Sequence, residues 1–190
     1  MATPVGHSLA GYLVSGWSDG TRGPHKVRWL LLYVCLANAA DLDFLPGILL
    51  GRPSLYHQGV SHSLGFALVV SLAVAGVCRL RGKSFAAIFA LSCAAYVSHL
   101  VIDFFGSDTR PPYGIPIFWP LSGEYFISPI PVFWGVHHAG TAVGSALEWL
   151  IALLHPYNLG AIALEVVILL PFVALKRWRR YILLGPQGLR

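Results

Sequence analysis

Four apolar runs divide the chain, at residues 29 to about 44, 64–78, 85–102 and 159–175. Each is slightly shorter than the roughly 17 to 25 residues that a membrane-spanning helix needs, so their polar ends are expected within the membrane boundary or under a protein cap. A briefer apolar stretch at 5–17 carries His7, and another at 145–155 is interrupted by Glu148 and stopped by His155-Pro156. Residues 106–140 are rich in Pro and aromatic side chains, among them Pro111, Pro112, Trp119, Pro120, Phe133 and Trp134. That composition cannot sustain a long helix, but it suits an ordered cap at headgroup level, where aromatic rings concentrate. The pattern predicts an all-α polytopic membrane bundle: four strong spans, a short N-terminal helix and an outer cap, in one domain over 1–190.

Composition agrees. Of 190 residues, 56% are hydrophobic and only 11% charged, against about 25% charged in soluble domains. A formal net charge of +5 raises the question of nucleic acid, but the basic residues stand in short clusters beside apolar runs, the pattern of topology signals and not of a binding groove. Nucleic acid is therefore excluded as a partner. Cys35, Cys78 and Cys93 lie within apolar runs without C-x-x-C spacing, as small hydrophobes do. The N-terminus lacks a basic n-region and no Gly follows Met1, so neither cleavage nor myristoylation is expected.

The clusters Arg22/Lys26/Arg28, Arg79/Arg81/Lys83 and Lys176/Arg177/Arg179/Arg180 all belong on the cytoplasmic side by the positive-inside rule. Were 145–155 a full span, the last cluster would fall outside, so that segment is expected to be interfacial or re-entrant. This orientation gathers His7, Asp41, Asp43, His57, His62, His99 and Asp103 at the opposite, outer face, although they span nearly a hundred residues of sequence.

His99 and Asp103 stand four residues apart, which on a helix puts both on one face. Their plain reading is a hydrogen bond at a helix end; histidine plus carboxylate in an apolar surround is also the usual mixture for zinc, with manganese and iron as alternatives. Asp41 and Asp43 close the first run before Pro46-Gly47, where helix breakage is expected. Acids fit poorly at a helix C-terminus, a conflict that a bound cation removes. His57 and His62 bracket a polar turn in which Ser61 caps a helix, or in which both imidazoles are ligands and Ser61 or Ser63 fixes a tautomer. His137-His138 either completes the site or covers it. Glu165, alone in the last run, is either structural or part of a proton relay. His25 and His155 have surface readings, and no spacing supports Glu124 or Glu148 as a late ligand or proton donor.

Together the series Asp41-Leu42-Asp43-Phe44-Leu45-Pro46-Gly47, His57-Gln58-Gly59-Val60-Ser61-His62-Ser63-Leu64, Ser98-His99-Leu100-Val101-Ile102-Asp103, Tyr113-Gly114 and Trp119-Pro120 resembles the YdjM-like family of inner-membrane-associated metal-dependent hydrolases. The resemblance covers residues 5–122, the motif-bearing core, with the cap and C-terminal helix at 106–190. Family members usually show Leu-Pro-Asp where this chain has Ala39-Ala40-Asp41, and His-Arg-Gly or His-His-Gly where it has His57-Gln58-Gly59; both departures leave the candidate ligands in place. More distantly, the order of ligands is similar to the zinc-dependent phospholipase C and P1 nuclease superfamily. That superfamily adds a later His and a His-x-x-x-Glu, which neither His137 nor His138 supplies, so one or two metals are expected in place of three.

The resemblance and the location together imply a membrane-bound zinc hydrolase of the inner membrane, with the seven residues as metal ligands and Asp41 or Asp43 as general base. The expected substrate is a phosphoester of a membrane lipid or lipid-linked molecule. A metal- or proton-handling protein without hydrolytic chemistry, or a scaffold keeping a structural metal site, are the alternatives.

Overall fold

The computed structural model describes residues 2–16, 25–52, 54–108, 111–137, 147, 151 and 154–184. Their regular structure is helical: α1 (Pro4–Ser15), α2 (Lys26–Ala37), a 3₁₀ turn (Ala39–Asp43), α3 (Phe44–Leu49), a second 3₁₀ turn (Val60–His62), α4 (Leu64–Arg79), α5 (Phe85–Phe104) and α6 (Pro156–Leu184). Two of these, α5 and α6, are long and apolar enough to cross a membrane by themselves, and α2 with the segment Ala39–Leu49 makes a third only as a pair bent by 58°. The expectation of four strong spans is corrected accordingly: the apolar run at 64–78 yields a helix of 16 residues, short of the roughly 17 that spanning requires.

The bend is also not where Pro46 suggested. Pro46 is the third residue of α3, in the first turn, where a missing N–H leaves no hydrogen bond unmade. The break comes earlier, at Asn38, whose side chain donates to Val34 O (2.8 Å) and to Ser8 Oγ (3.2 Å). A side chain that bonds the preceding turn competes with the backbone for helix continuation.

The long helix α5 lies between two partners. On one side it meets α1 and α2, where Val14, Tyr33, Leu36 and Ala95 pack; on the other it pairs with α4, where Ala67, Tyr96, Leu100 and Ile115 form a second buried cluster with Ala40. The crossing of α1 on α2 is close because Gly11 has no side chain: a Cβ there would lie 2.7 Å from Tyr33 O and 2.8 Å from Val34 Cα. Outward faces of α4 and α6 remain apolar, with Val69, Leu72, Val167 and Phe172 exposed, as expected for helices that face lipid.

The described residues of 106–136 form the irregular cap expected from its prolines. Irregular backbone at membrane depth survives only where its polar groups find partners, and here they pair with helix ends. The orphan carbonyls of α5 are taken up by Ser128 N–H on Phe104 O (2.8 Å) and Val132 N–H on Phe105 O (2.7 Å). The orphan N–H groups of α4 are taken up by Ile117 O (2.8 Å, from Leu64) and Trp119 O (3.2 Å, from Gly65). Gly65 makes the second contact feasible, since a Cβ would sit 2.5 Å from Trp119 O. Ser63 caps the same helix, accepting from Phe66 N–H at 3.1 Å.

Helix directions separate two ends of the bundle. Lys26 and Arg28 begin α2, Arg79, Arg81 and Lys83 fill the α4–α5 turn, and Lys176 to Arg180 lie toward the end of α6. The ends of α2 and α5 that carry Ala37, His99 and Asp103 are the opposite ones. Of 145–155, little lies among the described residues, and its interfacial or re-entrant placement falls outside them, as do Arg22, His138 and Glu148.

Candidate metal centre

His99 and Asp103 lie on one face of α5 in its last turns, and both are buried. The His99 ring reaches the frayed end of α2, where Nδ1 donates to Ala37 O at 2.8 Å. Because α2 stops at Ala37, that carbonyl has no helical N–H to accept from, and a carbonyl can only accept, so His99 carries its proton on Nδ1 and presents the Nε2 lone pair inward. His62 is set the same way from the other side. Its Nδ1 faces Asp43 Oδ2 at 3.2 Å and Ser61 Oγ at 3.1 Å, leaving Nε2 to point at the same spot. The two Nε2 atoms are 3.2 Å apart. Two lone pairs at that separation repel unless a proton or a cation lies between them.

The carboxylates complete the arrangement. Asp103 Oδ2 is 3.1 Å from His99 Nε2 and 3.5 Å from His62 Nε2; Asp41 Oδ1 is 3.6 Å and 3.5 Å from the same two atoms. These five separations are edges of one four-cornered figure. All four atoms lie within 4.8 Å of one another, close enough for one metal ion to be held among them. Asp41 Oδ1 and Asp103 Oδ2 are buried and make no hydrogen bond, which an ion-free site would leave as a costly orphaned pair. Two carboxylates also match the charge of one divalent ion. The residues present fit a metal: Asp41, His62, His99 and Asp103 could coordinate one.

Around these four, the remaining predicted residues take distinct positions. Asp43 Oδ1 accepts from His57 Nδ1 at 2.8 Å, and Asp43 Oδ2 accepts from Ser61 Oγ at 2.9 Å while facing His62 Nδ1. This is the carboxylate–histidine pairing that orients a ligand ring and fixes its tautomer. His57 stacks on Phe44, ring centroids 3.7 Å apart. His7 stacks on His99 at 3.8 Å, and its Nε2 is 3.5 Å from Asp103 Oδ1. Both His7 nitrogens are buried without a hydrogen-bond partner. The seven residues thus lie in one network. Asp41 alone among the four central residues reaches solvent, its side chain 19% exposed against none for the others, so the centre opens on its side.

The electrostatics of the loop before α4 follow. Burial would push the His62 imidazole down, but the carboxylates of Asp41 and Asp43, with Asp103 behind them, outweigh it and hold the group up at about 10. Burial dominates at His57, which is pushed below its ordinary value despite its bond to Asp43.

Several contacts had no sequence signal. Ala2 N–H donates to Asp103 Oδ1 at 3.0 Å and Ala37 contributes only its carbonyl; backbone groups carry no residue-type mark. Tyr96 was part of an apolar run, yet its buried hydroxyl donates to Ser61 O at 2.8 Å and steadies the loop. His137 lies away from the centre, exposed, with its ring 4.6 Å from that of His155. Glu124 is exposed in the cap.

Compared with known proteins, the chain matches the family described as YdjM inner membrane protein over residues 1–183. The chain belongs to that family. The match extends beyond the motif-bearing core to take in the cap and nearly all of α6, and with the apolar helices it supports an inner-membrane location. No curated protein and no solved structure matches the chain.

Proposed function

We propose that this protein is a zinc-dependent hydrolase of the inner membrane whose centre, at the outer face, cleaves a phosphoester of a lipid or lipid-linked substrate. The observation that carries the reading is the pair of inward Nε2 atoms 3.2 Å apart, framed by two buried carboxylate oxygens at 3.1 to 3.6 Å. A mixed set of two imidazoles and two carboxylates suits zinc better than the all-oxygen sites typical of magnesium or calcium. When bound, such an ion supplies a Lewis acid for a phosphoryl oxygen and an acidified water.

The chain's own residues do the rest. His62 and His99 hold neutral ring nitrogens toward the centre, with Asp43 and Ala37 O fixing their tautomers. Asp41 is the carboxylate nearest solvent and the better placed general base; both oxygens of Asp43 are already engaged by His57, Ser61 and His62. His7, buried and without a hydrogen-bond partner, is placed to add a ligand or to hold a proton beside Asp103.

The outer-face placement is supported by the basic clusters gathered at the other end of the bundle. A lipid substrate is supported by a groove of about 330 Å³ with a wholly apolar lining that includes Leu64, Leu100, Phe104, Ile117 and Phe118. Leu100 and Phe104 directly follow His99 and Asp103 on α5, so the groove and the centre share a helix. For Glu165, the acid on which a proton relay would draw, the bonds from Thr3 and Gly6 N–H to its carboxylate favour a structural role.

The test is metal content and turnover together. Purified wild-type protein is expected to hold about one zinc ion per chain and to release phosphorylated headgroup from mixed phospholipid vesicles, with activity lost to a chelator and restored by zinc. Asp103→Ala and His62→Ala are expected to lose both. Full zinc occupancy in both variants would remove the basis of the proposal.

A further inference from the structure

Away from the centre, α6 turns two ionisable side chains toward α1. Glu165, fully buried, accepts from Thr3 N–H at 2.5 Å, from Gly6 N–H at 2.9 Å and from the Thr3 hydroxyl. These donors belong to the first turn of α1, whose N–H groups have no partner within the helix and form the positive pole of its dipole. The approach depends on Gly6, where a Cβ would come 2.7 Å from Glu165 Oε2. At the other end, Lys176 Nζ donates to Tyr12 O, lies 3.4 Å from Ser15 Oγ and sits 3.7 Å over the Tyr12 ring. The Tyr12 carbonyl belongs to the last turn of α1, the negative pole of its dipole.

The spacing matches. Glu165 and Lys176 are separated by about 16.5 Å of helix rise and the 12 residues of α1 span about 18 Å, so one face of α6 grips α1 at both ends, with an acceptor for the N–H end and a donor for the carbonyl end. Between the grips stands His7, stacked on His99, and just before them Ala2, bonded to Asp103. A slip of α1 by one residue would move His7 about 1.5 Å and turn it by about 100°, withdrawing it from the centre.

We propose that Glu165 and Lys176 are positioning residues: through α1 they hold His7 and the Ala2 amide against Asp103 and thereby set the metal affinity of the centre. This rests on the reading of the centre as a metal site. The test uses the full chain in detergent, comparing wild type with Glu165→Gln, Thr3→Val, Lys176→Met and the conservative Lys176→Arg. Amide hydrogen exchange is measured over residues 2–16, and cobalt affinity by visible absorption.

Glu165→Gln is expected to speed exchange of the Thr3 and Gly6 amides by about tenfold or more and to weaken cobalt binding by about 10- to 100-fold with helicity unchanged. Thr3→Val, which leaves α6 untouched, is expected to act in the same direction. Lys176→Arg should retain the affinity that Lys176→Met loses. Unchanged exchange overturns the grip, and faster exchange with unchanged cobalt affinity overturns its link to the centre. Wild-type protein that takes up no cobalt overturns the metal reading and that link with it, and the exchange rates then decide the grip alone.

Discussion

On the proposed reading, replacing Asp43 by Asn separates a residue that orients a ligand from Asp103, which is one. The substitution keeps the shape and removes the charge. Asp43 now serves His57 Nδ1 at 2.8 Å, Ser61 Oγ at 2.9 Å and His62 Nδ1 at 3.2 Å; an amide offers one oxygen and one NH₂ in their place, so one imidazole N–H must face a donor. His62 then loses the anion that fixes its tautomer. Outer partners of this kind are worth about 10- to 100-fold in metal affinity, or about 1.4 to 2.8 kcal/mol. Losing a ligand costs more. A structural zinc site is worth roughly 10 to 16 kcal/mol over four ligands, which gives about 3 kcal/mol or more for Asp103, beyond 100-fold. The assay is competition for zinc against a chromophoric chelator, in detergent, on wild type, Asp43→Asn and Asp103→Asn, with circular dichroism to confirm the fold. Equal losses in the two variants, or none in Asp43→Asn, would refute the reasoning.

Three further outcomes are expected. Because His62 stays protonated up to about 10 in the metal-free protein, zinc binding near neutral pH should release about one proton from it. The binding heat should therefore differ between buffers of unlike ionisation enthalpy, and affinity should weaken as pH falls. The same raised value means that the His62 contribution to metal-free stability is full below the ordinary histidine value of 6.5 and fades as pH rises through about 10, a trend that thermal melts at a series of pH values would check. Gly11→Ala should cost about 1 to 3 kcal/mol, seen as a lower melting temperature, since its Cβ must displace the backbone of Tyr33 and Val34.

Much of the site was legible because membrane chemistry makes an ionisable residue conspicuous. Asp41, His62, His99 and Asp103 stand out against apolar runs, and the basic loops assign them to one end. The division of labour among them was not legible. Asp41 and Asp43 are two residues apart in one 3₁₀ turn, and only the turn's geometry sends one toward His99 and the other toward His57. Apolar content located α5 and α6 well, since length and hydropathy suffice for a long helix. It overran at α2, where Asn38 ends the helix by bonding backward to Val34, and Pro46 misled because a proline in a first turn begins a helix as readily as it ends one. Glu165 showed the same ambiguity: its partners, Thr3 and Gly6, lie some 160 residues away, beyond the reach of any spacing rule.

The contact between the first helix and the last also sets a schedule. A chain emerging at about 5 to 20 residues per second makes α1 roughly 10 to 30 s before Lys176 exists to hold its far end. During that interval His7 has no fixed station, while His62, His99 and Asp103 are already synthesised. If α6 holds α1 as proposed, the wall that α1 gives the centre closes only when the C-terminal helix docks, and a metal bound there would enter late in the biogenesis of this protein.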